Sequence, residues 1–227
     1  MRYCLFFVAV MMVFRNVDAQ NQRSPSIRFS HFWNNEQLFL DRPYSTGSDT
    51  ITISKLKYYV SNFQLFKGQK LVWSEPNSYH LIDGSNKSGP EIKLNISDTM
   101  KYDHLVFIFG VDSLTQSGGV KGGDLDPTRG MYWSWQSGYI HFKLEGTCTT
   151  CHATDKEFQF HIGGYTYPFN TIRRLSWPVS PGENIEFSID IEELLTKKLL
   201  PSAFHIMSPS VKAVAASHSI HFLKTEK

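Results

Sequence analysis

Apolar and polar residues alternate along much of this chain, with the period of two that a half-buried β-strand requires. The clearest run is NIEFSIDI at 184–191, where every second residue is isoleucine or phenylalanine. Residues 104–109 (HLVFIF) are apolar almost without interruption, which is typical of a strand covered on both faces. The same criteria predict further strands at 27–33, 50–66, 70–73, 80–83, 91–96, 139–144, 157–162, 165–176 and 220–223.

Helical patterns are few and short. Residues 192–200 can form one or two helical turns, and the Ala-rich stretch 209–217 can form a short helix. Many short strands without a helix after each of them are typical of all-β proteins. We therefore predict an antiparallel β-sandwich with long loops, one of them at 42–49, and one or two short helices.

One loop ends in a dense aromatic cluster. Residues 122–139 read GGDLDPTRGMYWSWQSGY. Strand phase would place Met131, Trp133 and Trp135 on one face, which favours a packing role for the large rings. Loops on a rigid scaffold also carry binding sites disproportionately, so this stretch is a candidate site as well.

The N-terminus has the pattern of a secretory signal peptide. Arg2 precedes an apolar run at 3–14, and Val-Asp-Ala at 17–19 is a small-residue cleavage site. The run is too short for a stable membrane anchor, and no second apolar run reaches membrane length. We expect a signal peptide at 1–19 and a single exported domain at 20–227, either periplasmic or extracellular. The formal net charge is only +2, which argues against nucleic acid as a partner.

The predicted mature chain keeps two cysteines, Cys148 and Cys151, within the sequence CTTCH. An exported compartment permits a disulfide between them. Read literally, C-x-x-C-H is also the attachment motif of c-type haem, and a thiolate pair could contribute to a metal site. No compact helical stretch surrounds the motif, and a tetrahedral zinc site would need more ligands. Three interpretations therefore stay open: a disulfide, haem attachment and a metal thiolate. The disulfide is the simplest.

Two of the nine histidines stand out as candidate metal ligands. His31 falls, by strand phase, among apolar and aromatic residues. His161 precedes Gly163 and Gly164, where backbone can approach its ring closely. Imidazole suits copper, zinc, iron or nickel, although a single histidine more often has a hydrogen-bonded structural role.

The sequence contains no catalytic signature such as G-x-S-x-G, a P-loop, G-x-G-x-x-G or H-E-x-x-H. We therefore expect a protein that is not an enzyme. Asp112, Asp124 and Asp126 flank a Gly-rich loop and could offer oxygen ligands to calcium. Their spacing fits no EF-hand, so turn formation or helix capping is the expected role.

Several motifs occur together in a fixed order. They are LKYYVSN at 56–62, GDLDP at 123–127, MYWSWQSGY at 131–139 with KLEG at 143–146, and FHIGG at 160–164. In this combination the chain resembles the MbnP-like family of exported copper-binding proteins, named for the methanobactin operon. The resemblance spans roughly residues 27–222, and IMSP at 206–209 is similar to the Bacteroidetes-type branch.

The resemblance implies a β-sandwich that binds copper for acquisition or storage through histidine imidazoles. It also implies a partner, a di-haem peroxidase-like enzyme that in some members oxidises a tryptophan to kynurenine and so helps to form the copper site. Matched by motif, His161 is the implied ligand, and His31 is a second candidate proposed from its strand phase. Trp133 and Trp135 are the candidates for a modified or site-lining tryptophan.

The chain departs from the family pattern at two points. Many proteobacterial relatives carry a histidine where this chain has Ser61, and many have four cysteines where the predicted mature chain has two. These departures motivate an alternative function, a surface binding or adhesion module on the same fold whose metal site has been lost. A c-type haem protein, attached through CTTCH, is the third hypothesis.

Overall fold

A computed structural model describes residues 24–47, 49–76, 78–86, 89–136, 138–153 and 155–225. The predicted signal peptide lies outside these residues. The strands are, in chain order, β1 (Ser26–Trp33), β2 (Glu36–Gln37), β3 (Pro43–Thr46), β4 (Asp49–Lys67), β5 (Lys70–Ser74), β6 (Tyr79–Asp83), β7 (Glu91–Lys93), β8 (His104–Phe109), β9 (Tyr132–Trp133), β10 (Gly138–Cys148), β11 (Glu157–Gly163), β12 (Arg173–Pro178), β13 (Ile185–Asp190), β14 (His205–Ile206) and β15 (Leu223–Lys224).

Helical structure is confined to short segments of the described chain. Two are α-helices, α1 (Ser113–Ser117) and α2 (Val211–Ser219). Single 3₁₀ turns occupy Gly123–Leu125 and Pro127–Arg129, and Glu193–Leu199 forms a π-helix. Among the described residues, no helix has both the length and the apolar character needed to cross a membrane.

The smaller sheet has the strand order β15-β13-β1-β2, with β7 also paired to β1. The two central strands, β1 and β13, run parallel in the register Ile27 to Ile185. In the larger sheet, β11 and β14 are also parallel. The all-β sandwich is confirmed, and these two parallel pairs are exceptions to the predicted antiparallel pairing.

The larger sheet is built on both edges of the long strand β4. Strands β8 and β10 pair with one edge of β4, and β3, β5 and β6 pair with the other. Hydrogen-bonded neighbours follow one another as β12-β8-β4-β10-β11-β14, and β10 and β8 pair with successive stretches of β4. Gly146 of β10 lies so close to β4 that an added Cβ would be 2.1 Å from the carbonyl oxygen of Thr52. Only glycine fits at that point.

Aromatic side chains from both sheets meet in the main core. Phe29 of β1 lies 5.6 Å from Phe187 and 5.8 Å from Phe107, between ring centroids. Tyr58 of β4 and Phe222 complete the cluster around Phe29. Because these residues come from strands of both sheets, they join the two layers. Burial of large aromatic rings contributes strongly to the stability of a core of this kind.

A second, smaller core lies on the other face of the larger sheet. The chain between β8 and β10 folds over that face. The cluster buried there contains residues of the sheet and of this covering chain: Tyr59, Val111, Leu125, Met131, Trp133, Tyr139 and Ile140. The prediction that Trp135 shares the buried face of Met131 and Trp133 was wrong. Trp135 is 66% exposed and Trp133 only 5%, because residues 134–136 form the turn between β9 and β10 and the strand phase ends at Trp133.

Three further element predictions differ from the structure. The predicted loop at 42–49 contains β3, because Tyr44 is buried with its ring 4.8 Å from that of Trp33. The strand predicted at 165–176 begins only at Arg173. Pro168 lies in the first part of this prediction, which does not form a strand, and it has no backbone N–H to donate to a strand ladder. The last strand is shorter than predicted and lies at Leu223–Lys224.

Candidate metal centre

His161 and Glu145 form a buried pair on the outer face of the larger sheet. The register of β10 and β11 pairs His161 with Lys143 and Glu145 with Gln159. His161 Nε2 lies 2.7 Å from Glu145 Oε1, and the side chains are only 10% and 14% exposed. The other carboxylate oxygen accepts a hydrogen bond from Lys55 Nζ at 2.7 Å. Glu145 therefore holds His161 in one orientation.

The protonation states of this pair suit a metal ligand. Burial opposes the charge of Glu145, but hydrogen bonds from Lys55 and His161 outweigh it, and the pKa of Glu145 is lowered. Burial lowers the pKa of His161, and the hydrogen bond to Glu145 offsets this only in part. His161 is thus neutral at pH 7. A metal-bound histidine typically donates its other ring N–H to a carboxylate in this way. With Nε2 on Glu145, Nδ1 is the ring nitrogen left for a metal.

Trp133 lies beside His161 on the same face of the sheet. Side chains alternate along β11, so Gly163 shares the face of His161. An added Cβ at Gly163 would be 2.8 Å from Cζ3 of Trp133. The missing side chain therefore makes room for the Trp133 ring next to the His161–Glu145 pair. Trp135 is farther out, with its ring centroid 5.9 Å from that of Trp133.

His31, the second predicted ligand, lies elsewhere. Its Nε2 is 2.9 Å from the hydroxyl of Tyr58 in the core between the sheets, and burial lowers its pKa to about 4. Tyr58 pairs with Phe142 across β4 and β10, whereas His161 pairs with the next residue, Lys143. Adjacent strand residues point to opposite faces. The structure therefore does not bring His31 and His161 together, and they cannot bind the same ion.

His141 is a buried histidine that sequence reasoning did not single out. It is fully buried, and burial lowers its pKa to about 3. Its Nδ1 hydrogen bonds to Thr171 Oγ1 at 2.9 Å, and its Nε2 hydrogen bonds to the amide of Gln116. With both ring nitrogens engaged, His141 is a structural residue. It lies where the β10–β11 register shifts between Ile140 and Phe142, and the strand pattern gives no signal for that shift.

The two departures from the family pattern have clear structural roles. Ser61 is fully buried and donates a hydrogen bond to the carbonyl oxygen of Gly110 at 2.8 Å. Cys148 and Cys151 form a disulfide at the end of the β10–β11 hairpin, with their Cα atoms 5.2 Å apart. The disulfide uses both sulfurs that thioether bonds to haem would need.

The three aspartates of the Gly-rich loop act as caps and anchors. Asp112 accepts a hydrogen bond from the backbone N–H of Thr115 at the start of α1. Asp126 does the same for Thr128 in the second 3₁₀ turn. Asp124 accepts from the backbone N–H of Leu81 at 3.0 Å. This is the role expected from the sequence, in preference to calcium binding.

The outer face of the larger sheet offers a metal ion one well-oriented imidazole, that of His161. Among the residues that the structure describes, no group of three or more His, Cys, Asp or Glu side chains is placed to hold an ion. The donor type fits copper, since imidazole is one of its usual ligands. One imidazole is fewer ligands than a complete copper site needs.

The fold and this face define a class of all-β sandwich proteins in which an aromatic loop packs over the sheet beside a histidine. Within that class, the chain belongs to the MbnP family, whose family model, described as MbnP, matches residues 22–210. Among solved structures, the chain is similar to MbnP from Methylosinus trichosporium, with a TM-score of 0.52 and 15% sequence identity over 76% of this chain and 77% of that chain. At this identity the likeness concerns the fold. The comparison with curated proteins found no match.

Proposed function

We propose that this protein is an exported, non-enzymatic copper-binding protein that serves copper acquisition or storage, with His161 as a copper ligand. The observation that carries the proposal is the His161–Glu145 pair, with 2.7 Å between Nε2 and Oε1, on the face that Trp133 covers. Membership of the MbnP family, which is associated with copper, supports the choice of metal. Copper supplies no chemical step here, because it is the cargo of the protein.

The single imidazole needs additional donors, and we infer that Trp133 provides them once it is oxidised. It is the buried member of the Trp133–Trp135 pair and lies over Gly163, beside His161. Oxidation of Trp133 to kynurenine by a di-haem peroxidase-like partner enzyme would use two equivalents of hydrogen peroxide to cleave the C2–C3 bond of the indole. Hydrolysis would then release C2 as formate. The product carries an aromatic amine and a ketone oxygen, and both are potential donors on the face that holds His161.

Copper binding by single-residue variants tests the proposal. Protein co-produced with the partner enzyme should bind stoichiometric copper, and His161→Gln should lose it. Glu145→Gln should weaken copper binding by about 10- to 100-fold, because an amide oxygen accepts the imidazole N–H without the negative charge that makes His161 a stronger ligand. His221→Gln is the matched control, since His221 is an exposed histidine and should bind copper like the wild type.

Metal analysis and a competition titration with a copper chelator would measure these affinities. Mass spectrometry of tryptic peptides would report oxidation of Trp133 separately from metal binding. Equal copper affinity of the wild type and His161→Gln would contradict the assignment of His161. No copper in protein whose Trp133 is oxidised would contradict the copper function itself.

A second candidate function is a surface binding module on the same fold without a metal. Two observations favour it: Ser61 is buried in a hydrogen bond to Gly110, and the described residues contain no three-ligand group. Tight stoichiometric copper binding that depends on His161 would count against this alternative.

A further inference from the structure

Strand β14 lies beside β11, the strand that carries His161. The two strands run parallel, and their register pairs Phe160 with Ile206. The next residues along the two strands are His161 and Met207. Because neighbouring strands of a sheet are about 5 Å apart, Met207 is the lateral neighbour of His161.

The chain continues beside β11 after β14 ends. An added Cβ at Gly164 would be 3.1 Å from Cβ of Pro209, so the two segments are still in contact beyond the position of His161 and Met207. Ile206 is buried in the main core at 4% exposure, whereas Met207 is 39% exposed. Successive residues of an extended chain point to opposite faces. Met207 therefore lies on the outer face of the sheet, as His161 does.

The imidazole of His161 presents its remaining nitrogen on the side of Met207. Its Nε2 bonds to Glu145 of β10, and β11 lies between β10 and β14. The two nitrogens of an imidazole ring are distinct and point away from each other, so Nδ1 faces away from Glu145. On the β10 side the cross-strand neighbour of His161 is Lys143, whose ammonium group donates to the carbonyl oxygen of Gly130 at 2.6 Å. The neighbouring side chain with a free electron pair is thus the thioether of Met207.

We propose that the sulfur of Met207 is a second copper ligand, bound together with Nδ1 of His161, and that the ion held there is Cu(I). This role rests on the proposed copper function. A thioether is a soft ligand and selects Cu(I). The His, Cys, Asp and Glu side chains of the described residues form no three-ligand group, so a thioether fills a place that they leave open. Its partial exposure lets an ion reach it from solvent.

The methyl resonances of methionine report directly on this ligand. The predicted mature chain contains three methionines, Met100, Met131 and Met207. Protein labelled with ¹³C at the methionine methyl groups therefore gives three signals, and the loss of one in Met207→Leu assigns Met207. The labelled protein, co-produced with the partner enzyme, would be titrated with Cu(I) without oxygen. We expect the Met207 signal to shift as the ion binds and that of Met100, which packs against the main core, to stay in place.

Affinities of matched variants give a second measurement. Leucine has nearly the volume of methionine but no sulfur, so Met207→Leu at this partly exposed position should keep the fold. We expect it to weaken Cu(I) binding by about tenfold or more and Cu(II) binding much less. Competition with a chelator for each oxidation state would measure both. Met100→Leu is the control and should bind Cu(I) like the wild type.

Two outcomes would overturn the assignment of Met207 and leave the copper function standing. One is Cu(I) binding that depends on His161 while the Met207 signal does not move. The other is equal Cu(I) affinity of the wild type and Met207→Leu. Absence of copper binding from the wild-type protein itself would instead overturn the proposed function, and the role of Met207 with it.

Discussion

Burial keeps the imidazole rings of His31 and His141 neutral in the folded protein. Burial lowers their pKa values from 6.5 to about 4 and about 3. Each has a neutral partner, the hydroxyl of Tyr58 for His31 and the Gln116 amide and Thr171 hydroxyl for His141. No carboxylate of the described residues bonds to either ring, and burial is the cause of both shifts. Their protonation therefore opposes folding.

This predicts a loss of stability on mild acidification. Between pH 6.5 and the lowered values, the unfolded chain binds a proton at each of these histidines and the folded chain does not. Stability is complete above pH 6.5 and falls as the pH decreases. The free energy of unfolding should drop by roughly 2 to 3 kcal/mol per pH unit between about pH 6 and 5. Urea unfolding at a series of pH values measures this slope.

Variants separate the contributions to that slope. His31→Gln should reduce the slope by roughly 1.4 kcal/mol per pH unit, the contribution of one titrating group, even if it lowers stability overall. The exposed His221, changed to Gln, should leave it unaltered. A His31→Gln slope equal to that of the wild type would mean that His31 is not neutral in the folded protein.

The β10–β11 hairpin is the element that carries the candidate metal centre. Glu145 and His161 lie at its middle, the register shift that contains His141 lies towards one end, and the Cys148–Cys151 disulfide closes the other end. The disulfide spans a sequence separation of only 3. In the chain-entropy model so short a loop contributes about 2 kcal/mol, which is useful but small for a stabilising cross-link.

Reduction should therefore weaken the protein without unfolding it. We expect dithiothreitol to lower the free energy of unfolding by about 2 kcal/mol, measured by urea titration of the oxidised and reduced protein. A double variant with alanine at Cys148 and Cys151 should show the same loss and no response to dithiothreitol. Unfolding on reduction alone would show that the disulfide has a larger role than its loop length explains.

Strand existence and type could be predicted from the sequence where the apolar period is unbroken, as at 184–191 and 104–109. Prediction failed where tertiary contacts decide the structure. Burial of Tyr44 against Trp33 creates β3, and the turn at 134–136 separates Trp135 from Trp133. For the candidate site, His161 was predicted from its motif. Its partner Glu145 was not, because the pairing depends on the register of two strands.

At the scale of the whole molecule, the protein has a sandwich core and a cover over one outer face. The cover, 111–136, contains a five-residue α-helix, two 3₁₀ turns and the two-residue β9. It also exposes three large apolar side chains, Leu114, Val120 and Trp135. Few of its backbone hydrogen bonds belong to a sheet ladder, so its local stability should be lower than that of the core.

Hydrogen exchange should detect this difference. Amides at 113–133 should open with a lower free energy than amides in β4 and β10, as expected for a separate cooperative unit. Leu125→Ala, which removes a buried side chain of the cover, should speed exchange in the cover more than in β1 and β13. Exchange from both regions with one common free energy would mean that cover and sandwich open together.

The long strand β4 has a consequence for the rate at which the chain folds. It must be joined by β3, β5, β6, β8 and β10, and its pairing with β10 links residues as distant as Ile51 and Cys148. The pairing of Ile27 with Ile185 spans still more of the chain. Such non-local contacts must overcome loop-closure entropy before they stabilise the fold, and domains rich in them fold in milliseconds to seconds. The chain thus has to remain unaggregated until its later strands reach β4.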